Sequence, residues 1–145
     1  MADSTTGLPP RLQEIAEDFQ WSEGREKLEL LLQYAEELPD IPAWMQNQSF
    51  EQVEECMTPV FVLSEMTDGK IYFHFDVPKS SPTVRGYAAL MKKGLDGLTP
   101  EEILRVPGDF YLQMGLDQVL TYQRLNGIAA ILAHMKLLAL QEVTA

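Results

Sequence analysis

Cysteine is almost missing from this chain, because Cys56 is the only one among 145 residues. A single cysteine cannot form an internal disulfide, and it cannot supply the several thiolates of a structural zinc site. Two roles remain for Cys56: a small apolar side chain packed in the interior, or a reactive group that exchanges something with another molecule. The scarcity of cysteine also fits a reducing compartment.

Histidine is scarce as well, since the chain has only His74 and His134. The two lie far apart in the sequence, and neither falls in a cluster with Cys56 or with spaced carboxylates. Metal sites usually gather such ligands at short spacings. We therefore predict no metal, and we expect each histidine to be structural or to face solvent. No glycine-rich phosphate loop follows a predicted strand, so we also predict no cofactor for this chain.

Basic residues are outnumbered: 11 Lys and Arg face 22 Asp and Glu, and the net charge is −11. No Lys/Arg cluster offers a footprint for phosphate groups, which argues against nucleic acid as a partner. Most of the excess acidity lies at or before Met57, where 13 acidic residues accompany only 3 basic ones. This part is either a solvated surface or a surface that steers a basic protein partner.

The chain also lacks long apolar runs and a recognisable leader. Charges interrupt every apolar run well before about 20 residues, so we predict no membrane-spanning segment. Residues 1–8 have no basic start and no apolar stretch, unlike a signal peptide. We expect a cytoplasmic protein, although a mature protein of the plastid stroma would look the same. The length suits one domain, which we place at 9–145 after a flexible N-terminus at 1–8.

Helical patterns occupy both ends of the chain. Apolar residues recur at helical spacing after Pro9-Pro10 and again from about Ser22 to Leu38, and Ser22 is the expected cap of the second helix. The later predicted helices are 83–95, a short helix opened by the capping box of Thr99 and Glu102, and 124–143.

The middle of the chain predicts a small antiparallel sheet of about three strands. Segments 59–65 and 71–76 are rich in β-forming residues and flank 67–70, a Thr-Asp-Gly-Lys turn signal. Segment 50–55 supplies a third strand, which places Cys56 in the connection between two strands. We predict an α+β fold in which N- and C-terminal helices pack on this sheet.

The position of Cys56 in a loop favours a side chain that is presented to a partner. Glu54 and Glu55 precede it directly, and negative charges disfavour a thiolate. We therefore expect the pKa of the thiol to lie above its unperturbed value of about 8.5, so that a partner must activate it. Arg85 or Arg124 would help if the fold brings either of them close.

Four short features follow one another along the chain. They are Cys56-Met57-Thr58-Pro59-Val60-Phe61-Val62, then Val84-Arg85-Gly86, then Thr99-Pro100-Glu101-Glu102-Ile103, and finally Gly115-Leu116 and Leu120 with Arg124-Leu125-Asn126-Gly127. Each is weak alone, but in this order and over nearly the whole chain they resemble the SufE family. Its members are sulfur acceptors in iron–sulfur cluster assembly. The resemblance implies a SufE/NifU-like fold.

The resemblance also implies a mechanism. A cysteine desulfurase that contains pyridoxal phosphate, SufS-like, would make a persulfide on its own cysteine. Cys56 would accept the outer sulfur as the catalytic residue and pass it to a SufB-like iron–sulfur scaffold. The pyridoxal phosphate would belong to the partner. Arg124, Asn126 and Arg85 are then candidates for contacts with the Cys56 loop or with the partner, and neither nucleic acid nor a membrane is expected.

Two other interpretations stay open from the sequence. In the first, the chain is a non-catalytic adaptor that binds a protein through its acidic helical hairpin, while Cys56 only packs. In the second, the chain is a thiol-dependent enzyme of its own. The second ranks lower, because no histidine is placed by sequence to act as the base for Cys56.

Overall fold

The computed structural model describes residues 8–46 and 50–144. Its centre is a three-stranded antiparallel sheet whose strands lie side by side in chain order, which confirms the predicted α+β fold. The helices are α1 (Pro10–Trp21), α2 (Arg25–Glu37), α3 (Pro82–Leu95), α4 (Pro100–Leu104), α5 (Phe110–Gln113) and α6 (Tyr122–Thr144). The strands are β1 (Glu51–Gln52), β2 (Phe61–Thr67) and β3 (Lys70–Asp76), and two 3-10 turns lie at Ala43–Met45 and Leu116–Gln118.

The N-terminal part of the chain forms the two predicted helices, α1 and α2, which both pack on α3, but Ser22 does not cap α2. Its hydroxyl donates to the carbonyl of Asp18 at 3.0 Å, so Ser22 closes α1 instead. Helix α2 begins three residues later, after Gly24, whose φ of +50° only glycine adopts easily. Of the predicted flexible N-terminus, residues 1–7 lie outside the described residues, and Leu8 is buried against the core.

The β2–β3 hairpin follows from the sequence pattern. Asp68 and Gly69 have φ of +53° and +79°, the backbone that a tight two-residue hairpin turn requires. Ile71, Phe73 and Phe75 alternate along β3 and are buried on one face. The two strands pair in register from Phe61↔Asp76 to Thr67↔Lys70. The hairpin therefore gives the sheet its buried face.

Helix α3 packs closely on α2 because Gly86 has no side chain. A Cβ at Gly86 would lie 2.1 Å from the carbonyl oxygen of Leu31, so only glycine fits there. The predicted capping box is also present: Thr99 accepts from the backbone N–H of Glu102, and the Glu102 carboxylate accepts from that of Thr99. The missing side chain at Gly86 lets α3 approach α2, and the capping box fixes where α4 begins.

Helix α6 is the long C-terminal helix of the core. An 18-residue window in it reaches a mean hydropathy of 1.2, so by length and composition alone it could cross a membrane. In the fold α6 packs against α3, α4 and β2. Its buried residues are Gly127, Ile128, Ala130, Ile131, Leu132, Met135 and Ala139. The apolarity of α6 is therefore accounted for by core packing, as in many core helices.

Candidate functional site: the Cys56 loop

Residues 53–60, here called the Cys loop, connect β1 to β2. The predicted strand over 50–55 is shorter than expected because the chain turns at Val53, whose N–H donates to the carbonyl of Val60 at 2.9 Å. The side chains of both valines are fully buried, so they anchor the two ends of the loop. A further turn is closed by the Cys56 N–H, which donates to the carbonyl of Val53 at 3.2 Å. Cys56 thus lies at the middle of a loop with a fixed base.

The thiol of Cys56 rests on α6. Its Sγ lies 3.2 Å from the carbonyl oxygen of Gly127, to which the S–H donates, and the side chain is half-buried. A Cβ at Gly127 would lie 3.2 Å from the same sulfur and 3.6 Å from the Cα of Cys56. The absence of a side chain at Gly127 therefore makes room for the thiol, a role the sequence did not indicate.

Burial raises the pKa of the Cys56 thiol to about 11, and the carboxylate of Glu55 adds to the shift. The direction is the one predicted from the sequence, but the larger cause is desolvation rather than the neighbouring charge. A group with this pKa is almost entirely protonated near pH 7. In the free chain, Cys56 is therefore stored as a thiol of low nucleophilicity.

Cys56 opens onto a cavity of about 420 Å³ between the Cys loop and the starts of α3 and α6. Its other lining residues are Met57, Thr58, Ser81, Val84, Thr121, Gln123, Arg124 and Gly127. Among the lining residues, Met57 is 80% exposed, and Tyr122, which lies in the chain between the lining residues Thr121 and Gln123, is 83% exposed. A larger cleft of about 730 Å³ lies elsewhere, between α2 and the start of α3. The thiol therefore has access to solvent through its own small cavity.

The structure places one of the three predicted accessory residues at the Cys56 cavity. Arg124 lines the Cys56 cavity, in the first turn of α6. Arg85 lines the larger cleft instead, and its guanidinium donates to the carbonyls of Ala35, Val77 and Leu38 at 2.7 to 3.1 Å. Asn126 is exposed on α6. Arg85 thus ties α2 to the segment before α3, and contacts of all three with a partner stay a prediction.

Three polar contacts in or next to the Cys loop were not apparent from the sequence. The ring of His134 lies 3.0 Å from a carboxylate oxygen of Glu51 and 3.0 Å from one of Glu55. On the other side of Cys56, the hydroxyls of Thr58 and Ser81 lie 2.9 Å apart. His134 is 79 residues from Glu55, and no local pattern marks such a pair.

Comparison with known proteins decides the family. A family model described as SufE, the Fe-S metabolism associated domain, matches residues 13–139. The chain belongs to the SufE family. An uncharacterized SufE-like protein of Mycobacterium tuberculosis is 39% identical over 130 residues, which cover 89% of this chain and 91% of that protein. The resemblance predicted from the sequence is thus confirmed.

Two further comparisons concern a named relative and a solved structure. The cysteine desulfuration protein SufE of Plasmodium vivax is 26% identical over 133 residues, covering 89% of this chain and 52% of that protein. A solution structure of a hypothetical protein from Thermus thermophilus superposes with a TM-score of 0.84 at 35% identity, covering 95% of this chain and 99% of that one. SufE proteins work with cysteine desulfurases in iron–sulfur assembly, which gives the chain a role in sulfur transfer.

Proposed function

We propose that this chain accepts sulfur from a cysteine desulfurase as a persulfide on Cys56 and delivers it to an iron–sulfur scaffold. The observation that carries the proposal is the position of the only thiol: it lies on a loop, at the edge of a cavity, in a domain of the SufE family. The chain is then a carrier and an activator of the desulfurase rather than an enzyme with its own turnover. The cytoplasm is the compartment we propose.

The transfer step exchanges one sulfur–sulfur bond for another. The thiolate of Cys56 attacks the outer sulfur of the persulfide on the desulfurase, a new bond forms at that sulfur, and the bond to the desulfurase cysteine breaks. The electron pair of the broken bond leaves with that cysteine as its thiolate. The proton of the Cys56 thiol passes to solvent or to a base on the partner. Pyridoxal phosphate, which generates the donor persulfide, belongs to the desulfurase, SufS-like in this proposal.

The geometry favours activation by a partner. A thiol with a pKa of about 11 gives little thiolate until its surroundings change. A docked protein that draws the Cys loop away from α6 removes the burial that causes the shift. Arg124, which lines the same cavity, then provides a positive charge for the thiolate and for the persulfide that replaces it. The exposed side chains of Met57 and Tyr122 offer that protein apolar contact area beside the site.

The adaptor hypothesis retains one observation in its favour. The acidic residues of the helical hairpin, such as Glu29 and Glu36, face solvent, as a surface that attracts a basic protein would. In that hypothesis Cys56 only fills space beside Gly127. The final acceptor in the carrier hypothesis, a SufB-like scaffold, is part of the same proposal and is tested after the first transfer.

Desulfurase turnover separates the two hypotheses. The rate of alanine formation from cysteine is measured with wild-type chain, with Cys56→Ser and with no added chain. The carrier proposal predicts that Cys56→Ser abolishes stimulation, because serine cannot take up the sulfur. The serine hydroxyl can still donate to Gly127, so circular dichroism and urea unfolding should match the wild type. Full stimulation by Cys56→Ser would instead establish the adaptor hypothesis.

A further inference from the structure

His134 lies on the part of α6 that contacts the Cys loop. It follows Gly127 by seven residues, or about two helical turns, so the two residues project from similar directions on α6. Gly127 receives the Cys56 thiol, and His134 receives the carboxylates of Glu51 and Glu55. One helix face therefore holds both the reactive group and the segment that leads to it.

The two carboxylates bound by His134 lie at both ends of a short segment. Glu51 is in β1, two residues before the buried anchor Val53, and Glu55 is directly bonded to Cys56 through the peptide. The His134 side chain is only 15% exposed, so its contact with Glu51 is partly shielded from water, whereas its contact with Glu55 lies at the surface because that carboxylate is 51% exposed. A hydrogen bond to a charged group is stronger where water is partly excluded, as at Glu51.

The chemistry of the ring fits two acceptors. A carboxylate only accepts hydrogen bonds, and imidazole donates from both nitrogens when it is protonated and from one when it is neutral. The Nδ1 of His134 faces Glu51 and the Nε2 faces Glu55, each at 3.0 Å. The backbone N–H of Glu55 itself and then the His134 ring hold the pKa of the Glu55 carboxyl below its usual range. Glu55 is therefore kept as the charged acceptor that this contact needs.

The other side of Cys56 has a separate attachment. There the hydroxyl of Thr58 pairs with that of Ser81, just before α3, at 2.9 Å. Each half of the Cys loop is thus attached by a side-chain contact to a different helix region. The contact with His134 is the one made to α6, the helix on which the Cys56 thiol also rests.

We propose that His134 is a positioning residue for Cys56, which fastens the first half of the Cys loop to α6 through Glu55 and Glu51 and limits how often the thiol is exposed. Its meaning for sulfur transfer rests on the proposed function, since a docking desulfurase would have to break the bond between His134 and Glu55. The fastening itself is a property of the free chain. It can therefore be tested without any partner.

The test is the rate at which iodoacetamide, a small neutral reagent, alkylates Cys56 in the native chain. His134→Ala removes both hydrogen bonds while keeping a residue that favours helix. We expect the rate to rise about tenfold, the factor that corresponds to a loss of about 1.4 kcal/mol and to the lower end for hydrogen bonds with charged groups. His134→Gln keeps a side-chain amide nitrogen that can donate, so its alkylation rate should fall between those of the wild type and His134→Ala. It serves as a second variant if His134→Ala folds poorly.

The matched control is His74→Ala. His74 pairs with Glu65 at 3.0 Å and is about as shielded as His134, but this contact joins β2 to β3 rather than the Cys loop to α6. We expect the alkylation rate of Cys56 to change less than about twofold in this variant, since the lost hydrogen bond is of the same kind but does not hold the Cys loop. An equal acceleration in His74→Ala would overturn the proposal.

Low concentrations of urea separate local opening from global unfolding. Opening of one loop exposes little surface, so the accelerated rate in His134→Ala should hardly depend on urea. If the alkylation rate in His134→Ala instead rises with urea as steeply as global unfolding does, His134 stabilises the whole fold rather than the Cys loop. That result would overturn the proposal. A rate within twofold of wild type in both His134 variants would overturn it as well. None of these outcomes depends on the sulfur-transfer activity.

Discussion

The β2–β3 hairpin and the Cys loop are neighbours in the chain but are held by different kinds of interaction. The hairpin has a continuous backbone ladder of paired residues, and Ile71, Phe73 and Phe75 bury one face of β3 in the core. The Cys loop has one backbone hydrogen bond across its base, between Val53 and Val60. Beyond its base, the Cys loop is held to the rest of the fold by single contacts of individual side chains.

This difference separates global stability from local opening. Buried apolar surface in the hairpin stabilises the whole fold, so the loss of a hairpin contact lowers the free energy of unfolding. Losing a loop contact frees only the few residues around Cys56, because the buried valines still close the base. The reactive group thus lies in a part of the molecule that can open while the core stays folded. Such a part suits a thiol that has to meet a partner.

The largest effect expected on the reactivity of Cys56 concerns its pH dependence. Because the pKa of the native thiol is raised to about 11 from an ordinary 9.0, its alkylation rate should still climb almost tenfold between pH 9 and pH 10. The same cysteine in urea-unfolded chain should level off over that interval, since its pKa is no longer raised by burial. Iodoacetamide kinetics over pH 7 to 10 provide the measurement. A native rate that levels off by pH 9 would contradict the sheltered thiol.

Replacement of Phe73 by alanine tests the hairpin side of the comparison. Phe73 is fully buried, so Phe73→Ala should lower the free energy of unfolding by about 3–5 kcal/mol. Met57→Ala is the matched change in the Cys loop, and because that side chain is 80% exposed we expect a change within about 0.5 kcal/mol. Urea unfolding measures both. Similar losses in the two variants would mean that the loop supports the fold as much as the hairpin does.

Two glycines sharpen the comparison within the helices. Gly127→Ala places a methyl group 3.2 Å from the Cys56 sulfur, and we expect it to displace the thiol and speed alkylation about fivefold or more. Gly86→Ala meets the backbone of Leu31 instead and should lower the free energy of unfolding by about 2 kcal/mol or more. Alkylation kinetics and urea unfolding are measured for both. Global destabilisation by Gly127→Ala with an unchanged Cys56 rate would refute the local role of Gly127.

The smallest expected effect is at Thr58. Thr58→Val keeps the shape of the side chain but loses the contact with Ser81, so the second half of the Cys loop should open somewhat more often. We expect a rise in Cys56 alkylation of about two- to fivefold, as for one neutral hydrogen bond. Thr67→Val, at the exposed end of β2, is the control and should leave the rate unchanged. No change in Thr58→Val would leave His134 and Gly127 as the attachments that matter.

The elements that the sequence predicted well are those fixed by nearby residues. The turn at Asp68-Gly69 and the alternation in β3 set the hairpin, and the capping box at Thr99 sets the start of α4. Local spacing fails where two patterns compete. In α2 the apolar Leu32 is exposed, whereas the charged Lys27 is buried with its amine donating to the carbonyls of Phe19 and Ser22.

The site was predicted in part, for a related reason. Cys56 stood out because it is the only thiol, and its place between two strands followed from the hairpin. Its surroundings come from α6, more than 70 residues later, where Gly127 makes room for the sulfur and His134 binds Glu55. In the sequence, Glu55 counted only as a negative charge beside Cys56, and His134 was predicted to be structural or solvent-facing. Only the fold shows that the two meet.

The most direct measurement is the mass of the chain after incubation with a pyridoxal-phosphate cysteine desulfurase and cysteine, without reductant, followed by peptide mapping. A carrier should gain sulfur on the peptide that contains Cys56, and a reductant should remove it. The Cys56→Ser chain should gain none under the same conditions. Faster desulfurase turnover with no sulfur on Cys56 would contradict the carrier role and favour the adaptor, and neither gain nor stimulation across several desulfurases would contradict both.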